Sequence, residues 1–168
     1  AKYNQRTDNF TGYISEDTSF GRPACNEIIS LMESSQGVLW VGTWYGGLAR
    51  FNKETGQFRY YFGEGDTLTI PRIRTLFQRT ANSFYLGSDD GLYTFNTTTG
   101  ECLPTDDEQN KESIYACYQD REGGIWIGTY FSGVSYLSPK HKDIEWYYPN
   151  GTENSLSGNV ISQFCEDP

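Results

Sequence analysis

Apolar and polar positions alternate along this chain in short runs, and the runs recur. Leu39-Trp40-Val41-Gly42-Thr43, Phe84-Tyr85-Leu86-Gly87-Ser88 and Ile125-Trp126-Ile127-Gly128-Thr129 share one template, with glycines 45 and 41 residues apart. That is the period of four-stranded propeller blades. Eight positions before each Trp or Tyr stands Met32, Phe77 or Tyr118, and four positions earlier comes Ile28, Ile73 or Ile114. This predicts a strand A that pairs with the template strand B through polar loops, Ser34-Ser35-Gln36-Gly37, Thr80-Ala81-Asn82 and Asp120-Arg121-Glu122-Gly123-Gly124. Helical periodicity is absent.

A third strand, C, follows as Gly47-Leu48-Ala49-Arg50-Phe51, Gly91-Leu92-Tyr93-Thr94-Phe95 and Gly133-Val134-Ser135-Tyr136-Leu137. The turns Asn52-Lys53-Glu54-Thr55-Gly56 and Asn96-Thr97-Thr98-Thr99-Gly100 end in a glycine suited to positive φ, whereas the third copy has Lys142 there. Strand D is expected over 58–62 and 144–148, and over only Glu101-Cys102-Leu103 in the middle copy, whose outer edge should be weak.

Ala1 to Phe10 repeats the sense of Ala49 to Phe58, which places strands C and D of a preceding blade in 1–25. Blades follow at 26–70, 71–112 and 113–153, and in 154–168 Val160-Ile161-Ser162 echoes Ile28-Ile29-Ser30, with Phe164 at the place of Met32. The fold class is all-β: one partial β-propeller of about three and three-quarter four-stranded antiparallel blades, read as a segment of a larger ring.

Composition agrees, since aromatics reach 16% of the chain beside 18 Gly, a mixture suited to strands and tight turns. The formal charge of −9 repels phosphate backbones and anionic lipid, so no nucleic-acid partner is expected. No apolar run is long enough to span a bilayer and no basic-then-apolar leader opens the sequence, so this segment is not expected to insert into a membrane. Cys25, Cys102, Cys117 and Cys165 lack the close pair spacing of a zinc site, and whether any two form a disulfide is left open.

The run Asp120-Arg121-Glu122-Gly123-Gly124-Ile125-Trp126-Ile127-Gly128-Thr129, followed by Gly133 and repeated in weaker form twice before, resembles the two-component regulator propeller repeat. The resemblance covers nearly the whole chain. It implies the periplasmic sensor region of a bacterial hybrid two-component protein, on the outer side of the inner membrane. The histidine kinase and response regulator would lie outside this segment. It also implies detection of a glycan-derived cue.

In such a meander the B to C and D to A loops emerge on one side. The B to C loops are Trp44-Tyr45-Gly46, Asp89-Asp90 and Tyr130-Phe131-Ser132, and Gly63 to Thr67 is a polar D to A loop. Exposed rings stack on sugar C–H faces and carboxylates accept from hydroxyls, so Trp44, Tyr45, Asp89, Asp90, Tyr130 and Phe131 are candidate contacts for an oligosaccharide or partner. The competing readings are packing of the four aromatics between blades and a simple turn at Asp89-Asp90. Trp40, Tyr85 and Trp126 are assigned to the core.

A propeller carbohydrate-active enzyme is the weaker alternative. The equivalent loops of the other two repeats supply no second carboxylate to stand across a glycosidic bond. His141, the single histidine, falls on the opposite face. No catalytic residue, cofactor or metal is expected, and Asp106-Asp107-Glu108 reads as a solvated loop. A scaffold without its own ligand is the other alternative. Unpaired blade faces predict self-association as a homodimer.

Overall fold

The computed structural model describes residues 1–14, 26–62, 70, 72–105, 111–140 and 144–165. Cys25, His141, Lys142, Asp106-Asp107-Glu108 and the Gly63 to Thr67 loop lie outside the described residues. Among the described residues fourteen strands run in chain order: β1 (Lys2–Asn4), β2 (Asn9–Thr11), β3 (Ile28–Glu33), β4 (Leu39–Thr43), β5 (Leu48–Phe51), β6 (Phe58–Tyr61), β7 (Ile73–Thr80), β8 (Ser83–Ser88), β9 (Gly91–Asn96), β10 (Cys102–Pro104), β11 (Ile114–Gln119), β12 (Ile125–Thr129), β13 (Val134–Leu137) and β14 (Ile144–Tyr147). They form three antiparallel four-stranded meanders, β3 to β6, β7 to β10 and β11 to β14, and a two-stranded hairpin, β1–β2. This is an all-β run of propeller blades. The middle sheet ends in a strand of only three residues. Among the described residues no helix is long and apolar enough to cross a membrane.

Strand alternation explains the template. Successive side chains leave opposite faces of a sheet, and both faces of each blade must be covered. Trp40 turns toward the following sheet, where its ring meets Phe84 and Phe95 at centroid distances of 5.2 and 5.6 Å. Leu48 joins it in one buried cluster with Phe84, Leu86, Phe95 and Ile73. The next junction repeats this, with Tyr85 and Leu92 set among Ile114, Ile125 and Ile127.

The template glycine is where the sheets come nearest. A Cβ at position 42 would lie 2.5 Å from the Ile73 carbonyl oxygen, at 87 it would lie 2.8 Å from Ile114 Cγ2, and at 128 it would lie 2.7 Å from Ile161 Cγ2. Real Cβ atoms do not approach so closely, so only glycine lets the following segment seat. The template Thr or Ser closes the B to C loop. Thr43, Ser88 and Thr129 are buried, and their hydroxyls donate to the carbonyls of Gly47, Gly91 and Gly133 while accepting from the amides of Gly46, Asp90 and Ser132.

The turns follow local chemistry. Asn52 Oδ1 accepts from the amides of Glu54 and Thr55, Asn96 Oδ1 from those of Thr98 and Thr99, and Asn4 Oδ1 from that of Arg6. Gly56 and Gly100 then take φ of 72° and 76°, and in the β1–β2 hairpin Asp8 holds that place at 49°, a value Asp tolerates.

Two expectations shift. Trp126, assigned to the core with Trp40 and Tyr85, is only half-buried, because among the described residues no further sheet packs on its side of the third one. The segment around Val160 forms no strand, since a strand A exists by pairing with a strand B. Ile161, not Val160, sits on Gly128 and donates its amide to the Thr129 carbonyl at 2.9 Å, while Val160 is 53% exposed.

Candidate functional site

The first strand of each sheet carries an irregularity at the same place. Register steps from Ile28 to Ser30, from Ile73 to Thr75 and from Ile114 to Ala116 while the partner strand advances one residue. Ile29, Arg74 and Tyr115 are therefore the extra residues of three equivalent bulges. A bulge bends its strand and re-aims a side chain. Here it accompanies Arg74 and Tyr115 reaching the rings and carboxylate of the B to C loops.

The β8–β9 loop brings Asp89 between two arginines. Arg72 Nη1 meets Asp89 Oδ2 at 2.5 Å, and Arg74 Nε donates to Oδ1. Burial alone would raise the Asp89 pKa, but the two guanidinium groups outweigh it and hold the carboxyl below its ordinary range. Ser113 Oγ, from the next sheet, donates to the Asp89 carbonyl at 3.0 Å.

The same guanidinium groups stack on aromatic faces. Arg72 lies 4.7 Å from the Trp44 ring and 5.7 Å from Tyr45, with whose side chain it also hydrogen-bonds. Arg74 is clasped between sheets, 5.2 Å from Trp44 on one side and 4.2 Å from Tyr115 on the other. Tyr115 continues to Tyr130 at 5.0 Å, and Tyr130 to Phe131 at 4.5 Å. The six residues picked out by sequence thus stand on one face, and five of them join a band crossing three sheets.

Their roles divide. Trp44 and Tyr130 are half-buried packing partners, and Asp89 is taken up by its arginines. Tyr45 remains 50% exposed and Phe131 68% exposed, and Asp90 faces solvent. Arg72, with 35% of its side chain exposed, is the accessible cation of the band. Arg72, Arg74 and Tyr115 were missed by loop-based reasoning because Arg72 stands just ahead of β7 and Arg74 and Tyr115 are bulge residues of β7 and β11. The signal available was Arg72-x-Arg74, two like charges one residue apart flanking the buried Ile73.

Asp120 has a separate duty in the β11–β12 hairpin. Its Oδ2 accepts from Trp126 Nε1 at 2.9 Å and its Oδ1 from the amides of Glu122 and Gly124, and these bonds, that from Trp126 foremost, lower its pKa. The first sheet uses Ser34 at this corner, its hydroxyl accepting from the Val38 amide, and in the middle sheet the Arg79 guanidinium lies 5.4 Å from the Tyr85 ring. Among the described residues no cluster of three or more His, Cys, Asp or Glu could hold a metal ion.

Residues 23–45 and 108–131, spanning the β3–β4 and β11–β12 hairpins, match the two component regulator propeller model. These two stretches of the chain are similar to the two component regulator propeller repeat. The two matched stretches contain Trp40 and the Asp120–Trp126 pair.

No curated protein matches the chain. Among solved structures it is similar to the extracellular domain of the one component system BT4673 from B. thetaiotaomicron, at 21% identity and TM-score 0.77, covering 98% of this chain and 22% of that one. A second structure of that domain, named for a hybrid two component system, gives 18% and 0.75 over 96% of this chain and 21% of that one. Virginiamycin B lyase from Staphylococcus aureus follows the same fold at 11% identity and TM-score 0.56, over 74% of this chain and 42% of that one. The propeller repeats therefore span about a fifth of the length of the BT4673 domain.

Proposed function

We propose that these blades form part of the extracytoplasmic, periplasmic sensor of a membrane-anchored hybrid two-component protein, and that they read an oligosaccharide cue without catalysing its conversion. The observation that carries this reading is the band on the loop face. Tyr45 and Phe131 offer exposed ring surface for sugar C–H faces, and Arg72 and Asp90 offer a donor and an acceptor for hydroxyls. Trp44, Tyr130, Arg74 and Asp89 hold these groups in place by their mutual contacts. Asp89, held ionised between two cations, is poorly suited to deliver a proton to a leaving group, which favours binding over glycoside cleavage.

Glycan-array binding of the chain tests this, compared with a Tyr45→Ala, Phe131→Ala double variant and with Leu103→Ser, an exposed change on β10 away from the loop face. The reading expects binding of an oligosaccharide by the parent chain and by Leu103→Ser, reduced at least about tenfold in the double variant. Equal binding by all three would move recognition off this face. Absence of any glycan ligand would favour a scaffold role, which the consumption of Trp44 and Asp89 in contacts between sheets also fits.

A further inference from the structure

A row of cross-strand neighbours runs outward through each sheet from the template ring of strand B. In the second sheet it reads Tyr85, Thr94 and Leu103, and in the third Trp126, Tyr136 and Glu145. In the first it reads Trp40, Arg50 and Arg59. Residues opposite one another in register leave the same side of a sheet. Both arginines therefore project on the side where Trp40 meets Phe84 and Phe95 of the second sheet, at a junction whose two sheets both belong to the chain.

Like charges directly opposite on neighbouring strands repel, with their Cβ atoms roughly 5 Å apart. The blade does not require them, since Thr94 with Leu103 and Tyr136 with Glu145 fill the same places in the other sheets. Burial does not hold them, because Arg50 and Arg59 are exposed while Trp40, further in, is buried. Charge pairing does not hold them either. The chain has 22 acidic residues against 13 basic ones, yet among the described residues neither guanidinium makes an ion pair or a hydrogen bond. Arg59 lies 5.4 Å from the Tyr61 ring.

The pair borders a cavity of about 630 Å³ beside the C to D turn, at the end of the sheet away from the B to C loops, with Asn52, Lys53 and Gln57 around it. Lys53 Nζ donates to Glu33 Oε1 and to the Gly37 carbonyl at 2.7 and 2.9 Å, so its charge is offset, and Glu54 is the carboxylate that borders the cavity. Two unpaired guanidinium forks on one opening are complementary to a tetrahedral oxyanion, which offers oxygens to both and relieves their repulsion. We propose that Arg50 and Arg59 form an anion-binding site for sulfate or phosphate, taken either as the free ion or as an ester carried on a sugar.

Isothermal titration calorimetry of the 168-residue chain with sodium sulfate, sodium phosphate, glucose 6-sulfate and glucose 6-phosphate tests the site. Ionic strength is held constant with sodium chloride so that general screening does not vary. Saturable binding of at least one probe is expected, weakened at least about tenfold by Arg50→Gln and by Arg59→Gln. Lys140→Gln, which removes an exposed cation elsewhere, should bind as the parent does. Saturation by the inorganic salts identifies a site for the free ion, and saturation by the sugar esters alone identifies an esterified ligand. No saturation by any of the four, parity of the arginine variants with the parent, or an equal loss in Lys140→Gln means an adventitious ion only and overturns the site. Circular dichroism confirms folding, and either arginine variant by itself carries the test. The Tyr45→Ala, Phe131→Ala double variant should bind the anion as the parent does, so this site and the loop face fail or succeed separately.

Discussion

The guanidinium of Arg74 stands 4.2 Å from the ring of Tyr115 across the boundary between two sheets. Both residues are the extra members of equivalent bulges. The loop face is therefore tied to the inner strands of the blades, and a change in sheet packing would be felt at the exposed rings.

Asp89 should be the most sensitive polar residue of that face. Asp89→Asn removes the negative partner of two arginines, and a loss of about 2 kcal/mol is expected in urea unfolding. The pH dependence distinguishes this charge from packing. The folded-state pKa values of Asp89 and Asp120 lie below those of the unfolded chain. Their contribution is thus fully present above about pH 4 and disappears as pH falls through the folded values. Asp89→Asn should flatten that acid limb, and an unchanged limb would show the carboxylate to be energetically idle.

Gly87→Ala should destabilise the chain by about 1 to 3 kcal/mol, because the added methyl meets Ile114 Cγ2 at 2.8 Å in a packed junction. Gly158→Ala meets nothing within 4 Å and should stay within about 0.5 kcal/mol of the parent. Thermal melts of the pair measure the difference.

Ser135 is a buried residue whose hydroxyl has no hydrogen-bond partner among the described residues, and the first sheet places Ala49, fully buried, at the same position of strand C. Ser135→Ala should therefore stabilise the chain by about 1 kcal/mol. A lower melting temperature would mean that the hydroxyl is satisfied in solution by a bound water.

Burial pushes the thiols of Cys102 and Cys117 up to about 12. Since the thiolate is the reactive form, both should resist iodoacetamide at pH 8 in the folded chain, while the exposed Cys165 is alkylated. Peptide mass spectrometry before and after denaturation reads this directly.

Features set within a single strand or turn could be read from the residues alone. The period of the Trp/Tyr template fixed the number and order of the sheets, and Asn52, Asn96 and Asn4 marked turns that their own side chains close. The template glycine and hydroxyl were visible, but the sequence did not reveal their purpose, because the atoms they answer to belong to another sheet or to a distant carbonyl. The same limit hid Arg72, Arg74 and Tyr115. A bulge shifts register by one residue without leaving a sequence signature, and the approach of Arg74 to Trp44 joins positions 30 residues apart that only stacked sheets bring together. It also misplaced Val160, since residue type alone did not distinguish it from Ile161 as the side chain that seats on Gly128. Local backbone chemistry thus determined the blades, and the contacts between them decided which loop residues remain exposed.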